Sequence, residues 1–127
     1  MESIILGEME ARFAGIIWET APVSSGMLVS LCAARLGWKK STTYTMLKRL
    51  CDKGLFVNTK GTVTTLMSRA EVAAVQSASF VEKNFEGSLP LFLAAFASRK
   101  KLNTAELDEL ARLIAAYRRA GAGGARE

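Results

Sequence analysis

Between residues 6 and 19, Met9, Phe13, Ile16 and Ile17 fall at i, i+4, i+7 and i+8, the apolar stripe of an amphipathic helix, and Trp18 closes it. Ala21-Pro22-Val23 interrupts that stripe and predicts a short extended segment, because the residue before a proline is pushed out of the helical region. A second helix should follow, capped by Ser24 or Ser25, with Met27, Leu28, Leu31, Cys32 and Leu36 on its apolar face and Gly37 as its stop. A third is expected from an N-cap at Ser41, with Thr43, Met46, Leu47 and Leu50 repeating at helical spacing up to Gly54.

After Gly54 the composition changes. Leu55 to Thr59 and Thr62 to Leu66 are rich in β-branched and aromatic residues, and Lys60-Gly61 lies between them, so a hairpin is predicted with Gly61 taking positive φ. Ser68 with Glu71 then reads as a capping box and Met67 with Val72 as a hydrophobic staple, opening a long helix to about Glu86. Gly87-Ser88 breaks it, and Leu89 to Phe96 is almost wholly apolar. Asn103 with Glu106 and Leu102 with Leu107 repeat the capping device, and the last helix should run to about Arg119 with Leu107, Leu110, Ile114 and Tyr117 on one seam. Residues 120–127, rich in Gly and Ala, are expected to be disordered.

Charge gives this pattern a direction. The 127 residues carry a formal net charge of +5, and residues 38 to 60 alone hold Lys39, Lys40, Lys48, Arg49, Lys53 and Lys60 against the single acid Asp52. The whole excess therefore sits in one segment, which points to a polyanion partner, with nucleic acid ahead of acidic lipid. The outer side of the third helix carries Ser41, Thr45 and Lys48, flanked by Thr42, Tyr44 and Arg49, with no acid until Asp52. A plainly solvated face would mix both signs. Three helices followed by a basic-tipped hairpin form a winged helix-turn-helix, in which the third helix enters the major groove and the hairpin reaches backbone or minor groove.

Several classes of chemistry are closed to this composition. With no histidine, a His-based zinc site, a Ser-His-Asp triad and a Cys-His dyad are excluded. No Gly-rich phosphate loop precedes a helix, and no paired carboxylates suggest a cleft, so neither an enzyme nor a cofactor or metal is expected. Cys32 and Cys51 both fall on apolar helical faces and read as buried, reduced thiols. Without a signal peptide pattern or an apolar run of about 18 residues, the expected location is cytoplasmic. The C-terminal third holds more apolar residues than three short helices can bury in one chain, so Leu89, Leu91, Phe92, Phe96, Leu107, Leu110, Ile114 and Tyr117 are expected to form a homodimer interface. The fold class is thus mainly α with a small β-hairpin: a winged-helix DNA-binding domain over 1–67, a helical dimerisation domain over 68–119 and a tail over 120–127.

The register Trp38, Thr42, Leu47, Arg49, Leu50, Lys53, Gly54, with Glu8, Ile17 and Trp18 upstream and Phe85-x-Gly87-Ser88-Leu89 downstream, resembles the BlaI/MecI-type penicillinase repressors over roughly residues 6 to 119. The resemblance implies a winged helix, a helical dimerisation domain and binding to palindromic operators upstream of resistance or regulatory genes. Such repressors are commonly released when a membrane sensor-protease pathway cuts an Asn-Phe bond. The aligned bond here is Ala95-Phe96, which lacks the asparagine, while Asn84-Phe85 lies eleven residues earlier. Related copper-responsive repressors carry a C-terminal cysteine cluster, and this chain has no cysteine after Cys51.

The expected reader is a dimer on double-stranded DNA with an inverted repeat. Ser41, Thr42, Tyr44, Thr45 and Lys48 would face the groove, while Lys39, Lys40, Arg49 and Lys60 would hold phosphates. Trp38 reads as a core plug or as a phosphate-side stack. Two alternatives stand beside this: a protein-docking winged helix, and a repressor that senses a small ligand in its helical domain.

Overall fold

α1 (Glu8–Thr20) begins where Gly7 donates its N–H to the Glu10 carboxylate at 3.0 Å, one arm of a capping box. In the computed structural model, which describes residues 4–124, there follow β1 (Val23–Ser24), α2 (Ser25–Leu36), α3 (Lys40–Asp52), β2 (Phe56–Thr59), β3 (Thr62–Thr65), α4 (Arg69–Phe85), α5 (Leu89–Arg99) and α6 (Thr104–Gly124). The chain divides into two compact units, Met1–Asn84 and Phe85–Glu127. The class is mainly α with a winged helix, as the hydrophobic pattern predicts.

In the first unit, Ser24 caps α2 by accepting from Met27 N at 3.0 Å, and Gly37 ends it in the left-handed conformation at φ 69°. The sheet order is β1-β3-β2, antiparallel throughout, with Val63 opposite Val23 on one side and Asn58 on the other. Phe13, Ile17, Leu28, Cys32, Leu50, Leu55, Phe56 and Val63 are fully buried, and they come from α1, α2, α3 and the wing together. Burial of each large apolar side chain contributes about 1.5–3 kcal/mol, so these elements hold one another in register. Trp38 settles as part of that packing: it lies partly buried against the core, 5.3 Å from the Phe13 ring.

α4 opens on the reciprocal box expected of it, Glu71 N to Ser68 Oγ at 3.0 Å and Ser68 N to Glu71 Oε1 at 2.8 Å. All of α4 but its last residue lies in the first unit, and its first turn packs on the winged core: Val72 is buried, Arg69 lies over the Trp18 ring at 5.1 Å, and Trp18 Nε1 donates to the Met67 carbonyl at 2.9 Å.

In the second unit Ser88 caps α5, and Asn103 and Glu106 exchange hydrogen bonds at the start of α6. Phe92 meets Phe85 edge-to-face at 5.5 Å between ring centroids and lies tilted against Phe96 at 6.1 Å.

Three local expectations differ. α3 starts at Lys40 with Lys39 in the N-cap position and no side-chain cap bond, rather than at Ser41, because the Trp38 anchor starts the helix earlier than the hydroxyl would. Met27 on the expected α2 stripe is 53 % exposed, being in the first turn where the helix leaves the core. The tail expected to be disordered from Ala120 continues α6 to Gly124, since alanines extend an existing helix at little cost; 125–127 lie outside the described residues.

Candidate nucleic-acid interface

α3 turns Thr43, Leu47 and Leu50 inward, and this leaves Ser41, Thr42, Thr45 and Lys48 exposed on its outer side. Thr43 is the buried polar exception on the inner side, satisfied by donating its hydroxyl to the Lys39 carbonyl at 3.3 Å. Lys39 and Lys40 stand at the N-terminus of the helix. There the first-turn N–H groups have no partner within the helix, and no side chain caps them, so backbone and lysines present positive charge to the same region.

Tyr44 lies on one flank of the outer face, and its hydroxyl bonds Ser25 Oγ at 3.2 Å. Ser25 is also where the wing attaches, because its N–H donates to the Gly61 carbonyl at 2.8 Å. The wing turn is tight: Lys60 and Gly61 both have positive φ, 51° and 87°, the requirement of a two-residue turn that follows the sheet twist. Asn58 Oδ1 accepts from Gly61 N at 3.0 Å and fixes the turn, leaving Lys60 exposed at its tip. Ser25, Asn58 and Gly61 thus join the wing to α3. The sequence pattern offers Ser25 only as a helix cap and Asn58 only as part of a strand. The bonds of Ser25 to Tyr44 and Gly61 join residues too far apart in the chain for periodicity to pair, while the Asn two residues before Lys60-Gly61 is a visible turn signal.

The cations of the basic stretch are not equally placed. Lys48 pairs with Asp52 at 3.1 Å, one turn on, with both side chains well exposed. Such a pair is worth at most about 1 kcal/mol and exchanges readily for a phosphate or base. Arg49 and Lys53 instead reach Glu10 of α1, at 3.4 and 3.2 Å. The Glu10 side chain is only 12 % exposed. Burial alone would raise its pKa, but the Gly7 N–H bond, Lys53 and Arg49 outweigh that and hold the carboxyl below its ordinary value.

A carboxylate with a lowered folded pKa contributes stability that is full above its unfolded pKa and is lost as pH falls through the folded one. The unfolding midpoint should therefore drop on acidification below the usual carboxylate range, and Glu10→Gln should show a shallower drop in chemical denaturation at stepped pH.

Both cysteines are free, Cys32 buried and Cys51 half-buried. Burial pushes both thiols up, aided at Cys51 by the Asp52 charge, so they are poor nucleophiles at neutral pH. Among the described residues, no group of three or more His, Cys, Asp or Glu side chains is arranged to hold a metal, and no helix is long and apolar enough to cross a membrane.

In the second unit no described residue is buried. Leu89, Leu91, Phe96, Leu107, Ile114 and Tyr117 are exposed, and Phe92 and Leu110 are half-buried. Ala95 and Phe96 lie inside α5.

The model of the penicillinase repressor family matches residues 6–116. The chain is also 24 % identical over 113 residues to the penicillinase repressor of Bacillus licheniformis, covering 86 % of this chain and 88 % of that one. With a winged helix and this match across most of its length, the chain belongs to the penicillinase repressor family of transcriptional regulators.

Proposed function

We propose that the protein is a dimeric repressor that binds inverted-repeat DNA and occludes a promoter, its resistance-related role following from the family. The observation that carries this reading is the outer side of α3: hydroxyls and Lys48 stand exposed beside an uncapped basic helix start, and Ser25 ties the wing to the same flank. Thr42, Tyr44, Thr45, Ser41 and Lys48 read the major groove, and Lys39, Lys40 and Lys60 hold phosphates. Among the described residues of the second unit none is buried, which supports a second copy covering α5 and α6. Relief by a sensor-protease would act at Ala95-Phe96. That bond is helical, so α5 has to unwind locally before a protease can reach it.

Three phosphate-holding lysines per protomer give six in a dimer. Binding to duplex DNA should therefore weaken about a thousandfold between about 50 and 200 mM salt. Lys60→Ala should lower affinity for all sequences alike and reduce the salt slope by about two units, one per protomer, whereas Thr45→Ala should cost about 1–3 kcal/mol on the preferred sequence and little on random DNA. Fluorescence anisotropy over a salt series reads all of this. Salt-independent binding would point to docking on a protein, and equal losses for Thr45→Ala on both duplexes would remove its base contact.

A further inference from the structure

The six cations between residues 38 and 60 do not share one surface. With 3.6 residues per turn, Ser41, Thr45 and Lys48 fall on one line of α3. Tyr44 flanks that line on the side of Ser25 and the wing, and Arg49 and Lys53 flank it on the side of α1. Glu10 stands on that second flank. Its Oε1 accepts from Gly7 N at 3.0 Å and from Lys53 Nζ at 3.2 Å, and its Oε2 accepts from Arg49 Nη1 at 3.4 Å and Lys53 Nζ at 3.5 Å. Lys53 Nζ donates as well to the Ile5 carbonyl at 2.9 Å.

The Lys53 ammonium is therefore held between the Glu10 carboxylate and the Ile5 carbonyl. Arg49 gives one N–H to Glu10, with its side chain 53 % exposed. The carboxylate that holds both is mostly buried, so its attraction is screened less than that of the exposed Lys48–Asp52 pair.

We propose that Glu10 is a positioning residue for DNA recognition: it grips α3 through Arg49 and Lys53 and withdraws both cations from the DNA-facing set. The proposal rests on the reading of α3 as the groove helix, and it removes Arg49 from the expected phosphate contacts. Two consequences follow. The charge that meets DNA is that of Lys39, Lys40, Lys48 and Lys60, so less of the affinity is indifferent to sequence. The helix is also held on both flanks, by Ser25 at Tyr44 and by Glu10 at Arg49 and Lys53, so it cannot roll about its axis and exchange Thr45 for a neighbour.

The test uses the full chain on a random-sequence duplex and on a duplex that the chain itself selects from a random pool, titrated between about 50 and 200 mM salt. Arg49→Ala and Lys53→Ala should leave the salt slope at the wild-type value, while Lys40→Ala lowers it by about two units, one per protomer. Glu10→Gln should steepen the slope on random DNA by up to about four units, two per protomer, and reduce the preference for the selected duplex on the order of tenfold. The proposal is overturned if Arg49→Ala or Lys53→Ala flattens the slope as Lys40→Ala does, or if folded Glu10→Gln keeps the wild-type slope and preference. Should circular dichroism show Glu10→Gln unfolded, the two alanine variants decide alone. A wild-type chain without salt-dependent DNA binding is a separate result, and it would remove the groove-helix reading itself.

Discussion

Leu107→Asp combined with Ile114→Asp should give a folded chain that sediments as a monomer at micromolar concentration and binds a two-half-site duplex on the order of a hundredfold to ten-thousandfold more weakly. Both residues are about half exposed in the single chain, so the substitutions cost the isolated fold little. Across a dimer seam they would bury four unpaired carboxylates, each costing several kcal/mol unless neutralised. Affinity for a duplex with one half-site should stay near the wild-type value, because the winged unit is untouched. A variant that stays dimeric would move the interface off α6. A monomeric variant with full affinity for the two-half-site duplex would show that pairing adds nothing to binding.

The second large effect belongs to the core. Phe13→Ala should destabilise the winged unit by about 3–5 kcal/mol, a large part of the roughly 5–15 kcal/mol that holds a small domain together. Phe13 is fully buried and its ring faces Trp38, the residue just before the basic helix start. The cavity therefore loosens the anchor that sets where α3 begins, and DNA binding should fail together with stability. Met27→Ala, at a half-exposed position, should change stability by about 0.5 kcal/mol or less. Urea midpoints for the two variants check the contrast, and a Phe13→Ala midpoint near that of Met27→Ala would mean that the α1–α3 packing is not what carries the unit.

Local signals account for most of what could be read in advance. Ser68-x-x-Glu71 and Asn103-x-x-Glu106 each form both bonds of their boxes, and Gly37 ends α2, because caps are settled within a few residues of chain. The start of α3 was not legible, since Ser41 offers an ordinary cap and only the distant Phe13 explains why Trp38 and Lys39 come first. The same limit applies to charge. Composition places Arg49 and Lys53 in one basic stretch with Lys48, yet a carboxylate some forty residues upstream divides them from it. At Lys60 the glycine signal was sound as far as it went, but the turn also needs positive φ at the lysine itself, supported by Asn58 and by the wing's bond to Ser25.

The proposed reader is two-fold: one chain would supply half of it, with α3 and the wing on DNA and α5 and α6 on the partner. The most direct measurement is to sequence the duplexes that the purified chain recovers from a random pool at about 150 mM salt. An inverted repeat with half-sites about one or two helical turns apart is the expected result. A recovered pool with no sequence preference, or one with single unrepeated sites, would contradict it.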